Sequence, residues 1–231
     1  MRVVSLLPSA TETLLEWGVD VVACTRFCDQ PDLTHVGGTK DPDVPAIAAL
    51  RPDLVVVDRE ENRREDAEAL VAAGLRVHVM HVTSLADVEP NLAALAAEVG
   101  VTSTPLDLDG ADAEWTTAFV PIWRRPWMTI NESTYGSSVL RHLGVRNVFG
   151  DAVDGYPTVT LDDAAARRPE VVLLPSEPYS FRQRHVDEVA AALPSARILA
   201  IDGQDLFWWG SRTPLALRRL RATLRAGRRP A

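Results

Sequence analysis

The stretch VVSLLPSATETLLEWGVDVVAC, residues 3–24, decides the fold, because a similar stretch, PWMTINESTYGSSVLRHLGVRNVFG, returns at residues 126–150. A second similar pair comes after them: IAALRPDLVVVDREENRREDAEALVAAGLRVHVMHV at residues 47–82, and DAAARRPEVVLLPSEPYSFRQRHVDEVAAALPSARILAID at residues 163–202. Duplicated units of this kind usually form two lobes that hold a ligand in the cleft between them. The repeat therefore predicts two similar lobes and an interlobe binding site.

Each copy alternates apolar strands with helices. Residues 3–7 have the pattern of a buried strand, and the next helix ends at Gly18, the counterpart of Gly144 in the second copy. Strands that are apolar at nearly every position and alternate with helices indicate a parallel sheet covered on both faces. We therefore predict an α/β fold of two similar lobes with mostly parallel sheets, and ligand-binding groups in the loops after the carboxyl ends of the strands.

The predicted domain bounds follow the repeat. Residues 1–83 form an N-terminal α/β lobe, residues 84–122 a helical connector, and residues 123–231 a C-terminal α/β lobe with a terminal helix. The connector is the stretch without a counterpart in the repeat. Its apolar residues from Leu85 to Val99 have helical spacing, and a second short helix is predicted before Pro121.

Composition excludes some classes of protein. The formal net charge of −8 and a pI near 5.1 argue against a nucleic-acid-binding protein, which normally has a basic face. No apolar run approaches the roughly 20 residues that span a bilayer, so no membrane span is expected. The first strand begins directly after Met1 and Arg2. As written, the sequence predicts a cytoplasmic protein, or a periplasmic or extracellular one if a signal peptide has been removed.

Two smaller features have conservative interpretations. RRLRATLRAGRR, residues 218–229, is the one basic run, and we interpret it as the solvated side of a last helix and its tail, with an anionic partner as the alternative. Cys24 and Cys28 are the two cysteines of the chain. Two cysteines in a chain of this size do not make a disulfide framework, so both are predicted to be free, buried thiols.

Several motifs, taken together, resemble a known family. They are PSATETLLEWG at residues 8–18, VGGTKDPDVPAIAALRPDLVVV at 36–57, EENRRED at 60–66, SEPYSFRQRHVDEV at 176–189 and DGQDLFWWGSR at 202–212. This combination is similar to the helical-backbone (class III) periplasmic binding protein superfamily, and most similar to its cobalamin-binding branch. The resemblance implies a cleft ligand that is a cobalamin or other corrinoid, with haem or a ferric siderophore as less favoured alternatives. In secreted members it also implies hand-over of the ligand to an ABC transporter permease.

The chain departs from that family where the permease would dock. Secreted members present an acidic residue near the start of a helix in each lobe, whereas these regions contain Arg63, Arg64, Arg182 and Arg184 here. A cytoplasmic ligand sensor or scaffold on the same fold is therefore the alternative function. A hydrolase or transferase is less favoured, because the chain has no G-x-S-x-G elbow, no P-loop and no G-x-G-x-x-G motif. We predict no enzyme activity and no catalytic residue.

The candidate ligand-binding residues lie in predicted loops at strand ends. A corrinoid needs flat apolar walls and a few polar groups for its amide arms. The aromatic candidates are Phe27, Tyr135, Tyr179, Trp208 and Trp209. The polar candidates are Arg26, Lys40, Arg59, Asn62 and Arg212 as donors, and Glu61 and Glu177 as acceptors. Two alternatives remain open: one tryptophan packs under the last helix, or Glu61 and Asn62 cap a helix instead of binding ligand.

A protein-bound metal site is not expected. Such a site needs three or four converging His, Cys or carboxylate ligands, and His78 and His81 lie three apart on a strand, so their side chains leave opposite faces. His35 remains a candidate axial ligand for the metal of a bound macrocycle. No required cofactor is predicted.

Overall fold

The computed structural model describes residues 1–226, and the chain divides into two compact units. The first contains Met1–Val82, Ala86–Leu106 and Trp209–Arg212, and the second contains Thr83–Leu85, Asp107–Trp208 and the residues from Thr213 onward. The end of the predicted basic tail, residues 227–231, lies outside the described residues.

The first unit is built on a five-stranded parallel sheet. In chain order its elements are β1 (Arg2–Ser5), α1 (Pro8–Glu16), β2 (Asp20–Cys24), β3 (Thr34–His35), β4 (Gly37–Gly38), β5 (Asp41–Pro42), α2 (Val44–Ala49), β6 (Leu54–Asp58), α3 (Arg64–Ala72), β7 (Val77–Met80) and α4 (Leu85–Val99, in this unit from Ala86). The sheet order is β3-β2-β1-β6-β7, and β4 pairs antiparallel with β5. The central strand β6 is buried along its whole length, as expected for a parallel sheet covered on both faces.

Local sequence explains where these helices begin and end. Pro8 occupies the first turn of α1, where the missing N–H has no helical partner. Gly18 comes after the helix with a φ of 71°, a left-handed conformation that favours glycine. Asp43 caps α2 by accepting from the Ala46 amide at 3.0 Å. One apolar cluster packs beneath the helices: Val4, Leu6, Ala23, Val36, Ile47, Val55, Val57 and Leu70.

The second unit is built on a four-stranded parallel sheet. In chain order its elements are β8 (Thr116–Phe119), β9 (Trp127–Met128), α5 (Tyr135–His142), β10 (Val145–Asn147), β11 (Thr158–Val159), α6 (Leu161–Ala166), β12 (Val171–Pro175), α7 (Gln183–Ala192), β13 (Arg197–Ile201), α8 (Gly203–Phe207) and α9 (Thr213–Ala226). The sheet order is β10-β8-β12-β13, and β9 pairs antiparallel with β11 outside this sheet. Its core contains Phe119, Val148, Phe149, Ala164, Val172, Leu174, Val189 and Leu193.

The two sheets have corresponding orders. In the first, β2-β1-β6-β7 are neighbours, and β10-β8-β12-β13 stand in the same places in the second. Helices α1 and α5 each lead into the strand at one end of this series, and α3 and α7 each lead into the strand at the other. The predicted α/β fold of two similar units with mostly parallel sheets is thus confirmed.

The beginning of the second copy was predicted wrongly. The internal repeat placed its first strand near Trp127, but β9 there has two residues and lies outside the main sheet. The counterpart of β1 is β8, in a stretch predicted to hold a second short helix. The β-branched pair Thr116 and Thr117 favours a strand. β8 is also inserted between two other strands, and its pairing with β10 and β12 outweighs the weak helical pattern.

Two other expectations concern single elements. The helix predicted from Leu85 to Val99 is present as α4. Residues 100–115 form no helix or strand. Within residues 1–226, no helix combines the length and hydropathy needed to cross a membrane.

Candidate functional site

In the first unit, a buried asparagine ties together the loops at the carboxyl ends of the strands. The Asn62 side-chain amide donates to the Leu6 carbonyl at 3.1 Å and to the Thr39 carbonyl at 2.8 Å, and its oxygen accepts from the Asp58 amide at 2.8 Å. These contacts join the loop after β1, the turn between β4 and β5, and the loop after β6. Because both amide hydrogens are used inside the protein, Asn62 positions the loops instead of offering a donor to a ligand.

Arg26 and Phe27 come after β2 and lie at the surface. The Arg26 guanidinium forms two hydrogen bonds of 3.0 and 3.1 Å with the Asp41 carboxylate, and it lies 4.9 Å from the centre of the Phe27 ring. Phe27 is 53% exposed. Gly38 lies beside this pair, and a Cβ there would lie 2.4 Å from Asp41 Oδ1 and 2.8 Å from Arg26 Nη2, so a larger residue would displace these side chains. The Arg26 guanidinium also holds the pKa of Asp41 below its usual range.

Acidic groups lie at the end of β6 and just after it. Asp58 is buried, its Oδ1 accepts from the Glu60 amide at 2.8 Å, and its buried Oδ2 has no hydrogen-bond partner within the described residues. Burial, assisted by the charge of Glu61, raises the pKa of Asp58 to about 6. Glu61 itself is exposed to solvent, yet surrounding protein atoms partly desolvate its carboxyl and raise its pKa, while Lys40 acts in the opposite direction. The Lys40 ammonium donates to the Glu60 carbonyl at 2.8 Å. Lys40 and Glu61 therefore lie close enough for their charges to interact. Arg59, in the same loop as Glu61, is also exposed.

The segment Trp209–Arg212 packs on α1 within the first unit. The Trp209 amide donates to Ser9 Oγ and the Ser211 amide to Thr13 Oγ1, each at 3.2 Å. Between them Gly210 has a φ of 116°, and a Cβ there would lie 2.3 Å from Thr13 Oγ1. Trp209 is 4% exposed, and Arg212 lies 3.5 Å from Glu12. This tryptophan therefore packs on α1, whereas the sequence alternative was packing under the last helix, and its indole has little exposed surface.

Three predicted site residues of the second unit are partly or fully enclosed. Trp208 is buried at the end of α8, and Tyr135, the first residue of α5, is buried with its hydroxyl 3.3 Å from Thr213 Oγ1. Glu177 is half-buried against Gly203, where a Cβ would lie 2.6 Å from Glu177 atoms.

Tyr179 belongs to an aromatic cluster that the sequence predicted only in part. Its ring lies 5.3 Å from Trp123 and 4.9 Å from Phe181, and Phe181 stacks on Trp127 at 6.0 Å with an interplanar angle of 7°. His185 lies beneath, with its ring centre 5.5 Å from Tyr179. Burial and neighbouring arginines keep the pKa of His185 below its usual value. Trp123 is 43% exposed.

The sequence did contain a signal for the missed rings. Trp123 and Trp127 flank Arg124, Arg125 and Pro126, a short loop with no helix or strand period. Because the start of the second copy was predicted wrongly, this loop was assigned to a domain boundary instead of to a strand end. We define the aromatic platform as Trp123, Trp127, Tyr179 and Phe181.

Each unit also has a surface cavity, and the one in the first unit borders the strand-end residues described above. A cavity of about 840 Å³ in the first unit is lined by residues that include Arg59, Asn62, Val71 and Val79, and none of the described residues around it is aromatic. A cavity of about 370 Å³ in the second unit is lined by charged residues such as Glu132 and Arg146. Neither has the flat apolar walls that a macrocycle needs. Within residues 1–226 no cluster of three or more His, Cys, Asp or Glu side chains is arranged to hold a metal ion.

Comparisons by sequence found a matching family and several similar proteins. Residues 3–106 match the family described as periplasmic binding protein. The vitamin B12-binding protein of Yersinia pestis (strain Pestoides F) is 26% identical over 94% of this chain and 82% of its own length, and that of Pectobacterium carotovorum is 25% identical over 77% and 72%.

Solved structures show the same fold. The periplasmic vitamin B12-binding protein of Vibrio cholerae has a TM-score of 0.79 at 21% identity, with 97% of this chain and 96% of that chain covered. A periplasmic haem-binding protein from Pseudomonas aeruginosa has a TM-score of 0.78 at 21% identity, with 100% and 94% covered. The similarity predicted from the sequence, to the class III periplasmic binding protein superfamily and within it to the cobalamin-binding branch, is confirmed.

Proposed function

We propose that this chain is a solute-binding protein whose ligand is a corrinoid of the cobalamin type. The observation that carries the proposal is the similarity to vitamin B12-binding proteins across 94% of the chain. Binding, and no chemical conversion of the ligand, is the activity proposed. Corrinoids arrive with their own metal, so the proposal needs no protein-bound metal centre.

The aromatic platform is the proposed contact for the macrocycle. Ring faces and edges attract one another at centroid distances of about 4.5–7 Å, and the rings of this cluster lie within that range of each other. They therefore fix one another's orientation before any ligand arrives, which reduces the entropy lost on binding. Trp123 keeps 43% of its surface exposed, so it has area to offer.

The first unit supplies the proposed polar contacts. Arg26, Lys40, Arg59 and Glu61 are exposed at strand ends, and Phe27 adds an exposed ring beside Arg26. Such groups suit the amide arms at the edge of a corrin ring. Buried Asn62 ties together the loops after β1, β4 and β6. Trp208, Tyr135, Glu177 and Arg212 remain proposed ligand-binding residues whose exposed area is small.

A titration of the purified chain with cyanocobalamin and cobinamide tests the proposal, with tryptophan fluorescence and corrin absorbance as the signals. Saturable binding at micromolar concentration or tighter is expected for at least one of them. Haemin and a ferric siderophore are the comparison ligands. If haemin binds and neither corrinoid does, the corrinoid assignment is wrong while the solute-binding function stands. If none of the four ligands binds, the proposed function is wrong.

Delivery to an ABC-type permease, outside the cytoplasm, is the proposed context of binding. At the start of α3, Arg63 pairs with Asp66 and Arg64 with Glu68, so acidic and basic groups are both available there for a partner. Uptake of labelled cobalamin by cells lacking this chain tests delivery. We expect uptake to fall when cobalamin is limiting. Unchanged uptake would contradict delivery and favour the ligand sensor, while leaving the binding result untouched.

A further inference from the structure

The two cysteines of the first unit lie close together, and neither is among the proposed ligand-binding residues. Cys24 is the last residue of β2, and Cys28 lies in the next loop; both are free and buried, as the sequence predicted. The two thiols interact closely enough for each to shift the pKa of the other. The Cys28 amide donates to the Thr25 carbonyl at 3.1 Å, and this turn brings the two side chains together.

Two threonine hydroxyls complete the surroundings of Cys28. Thr11 Oγ1 lies 3.3 Å and Thr25 Oγ1 lies 3.4 Å from Cys28 Sγ. The Thr11 hydroxyl also lies 2.8 Å from the Leu7 carbonyl, and either partner of its contact with Cys28 is able to donate. The Thr25 hydroxyl is able to donate to the Cys28 sulfur. Both hydroxyl contacts lower the pKa of Cys28.

These contacts make the two sulfurs unequal. The hydrogen bond from Cys24 lowers the pKa of Cys28, and the same contact together with burial raises the pKa of Cys24. A thiolate is the nucleophilic form of cysteine. Cys28 is also the more accessible of the two, at 7% exposure against 0% for Cys24. Cys28 is therefore suited to attack, and Cys24, the thiol that interacts with it, is suited to resolve the product.

We propose that Cys24 and Cys28 are a redox-active dithiol that reacts with small hydroperoxides to form an intramolecular disulfide. Cys28 attacks the terminal peroxide oxygen, the O–O bond breaks, and the alcohol or water leaves with a proton, which converts Cys28 to a sulfenic acid. Cys24 then attacks the Cys28 sulfur, the S–S bond forms, and the sulfenic oxygen leaves as water. In total the two thiols lose two electrons and two protons, and the peroxide is reduced by the same two electrons. The resulting ring encloses Thr25, Arg26 and Phe27.

Mass spectrometry of the full-length chain tests this chemistry. The reduced protein is treated with hydrogen peroxide at neutral pH, then unfolded and alkylated. We expect the wild-type chain to lose the mass of two hydrogens, to take up no alkyl group, and to regain two alkylation sites after dithiothreitol. The pH midpoint of the reaction rate is expected below that of a free cysteine, whose pKa is about 8.5.

Two matched variants separate the roles. Cys24→Ser keeps the nucleophile without its partner, so Cys28 stops at a sulfenic acid that dimedone traps. Cys28→Ser leaves a buried thiol that gives neither disulfide nor dimedone adduct. The proposal is overturned if the folded wild-type chain keeps two alkylatable thiols under conditions that oxidise the urea-unfolded chain, or if Cys28→Ser reacts as fast as Cys24→Ser. The wild-type measurement decides the matter even if a variant fails to fold.

Discussion

The two units share a sheet order but differ in the loops at their strand ends. In the first unit the loops are polar and tied together by hydrogen bonds, with Asn62 at their centre and the Arg26–Asp41 pair at their edge. In the second unit the platform rings Trp123 and Tyr179 lie where a loop precedes or follows a strand. The duplicated sheets therefore determine where the strand-end loops lie, and the residues of each loop determine its chemistry. Variants in both units test this difference between the loops of the first unit and the exposed rings of the second.

The largest expected effect belongs to Trp209, which the first unit buries. Trp209→Ala should lower the free energy of unfolding by about 3–4 kcal/mol, because it removes a large buried side chain. Trp123→Ala, in the platform of the second unit, should cost much less, since that ring is 43% exposed. Urea unfolding of both variants makes the comparison, with Trp209→Phe as the conservative control. Equal costs would mean that both tryptophans are structural.

Asn62 has the next largest expected effect. Asn62→Ala leaves two carbonyls and one amide without partners, and we expect a loss of about 2–3 kcal/mol of stability. The second unit has a matched control in Asn147, which donates to the Ile130 carbonyl and accepts from the Phe149 amide. Asn147→Ala should be destabilising by a similar amount in the same urea assay. A neutral Asn62→Ala would show that the polar loops of the first unit do not depend on this residue.

Asp58 should make the stability of the first unit depend on pH. Its pKa is raised to about 6 in the folded chain, against about 3.9 for an unperturbed aspartate. Below pH 4 Asp58 is protonated in both the folded and the unfolded chain, so it does not lower stability. Between pH 4 and 6 Asp58 ionises in the unfolded chain first, so stability falls as pH rises. Above pH 6 the full loss of stability remains. Asp58→Asn, which keeps the oxygen that accepts from Glu60, should remove this dependence.

The measurement is the difference in unfolding free energy between Asp58→Asn and the wild-type chain, at pH 8 and at pH 4. We expect the variant to gain about 2 kcal/mol of stability relative to the wild-type chain when the pH is raised from 4 to 8. Other titrating groups are common to both chains and cancel. A difference that is the same at both pH values would show that Asp58 titrates normally.

The platform has the largest expected effect on binding. Trp123→Ala should weaken corrinoid binding about tenfold, or about 1.4 kcal/mol, without unfolding the chain. Trp123→Phe keeps an aromatic face and should retain most of the affinity. Leu215→Ala removes a comparably exposed apolar side chain outside the platform and serves as the control. Wild-type affinity in Trp123→Ala, by calorimetry, would remove this ring from the proposed site.

The sequence predicted the fold better than the site, for a physical reason. Apolar periodicity results from burial in a sheet covered on both faces, so β6 and β12 were recognisable from residues alone. Strand β8 was missed because pairing with two neighbours, which no local pattern records, decides its conformation. Site residues are harder still. The pattern could place Trp209 in a loop, but only the packing of that loop on α1 shows that the ring is buried.

The smallest expected effect on stability is at the Arg26–Asp41 pair of the first unit. Both side chains are about half exposed, and exposed ion pairs add little to stability because water and salt screen them. Arg26→Ala should therefore leave the urea midpoint nearly unchanged, while the pKa of Asp41, measured by NMR titration, rises towards its ordinary value. Whatever stability the pair adds is present above the unfolded pKa and lost as pH falls, since the folded pKa is the lower one. A large loss of stability would show that the pair holds the Gly37–Gly38 hairpin closed, and the exposed polar loops of the first unit would then be structural as well as available to a ligand.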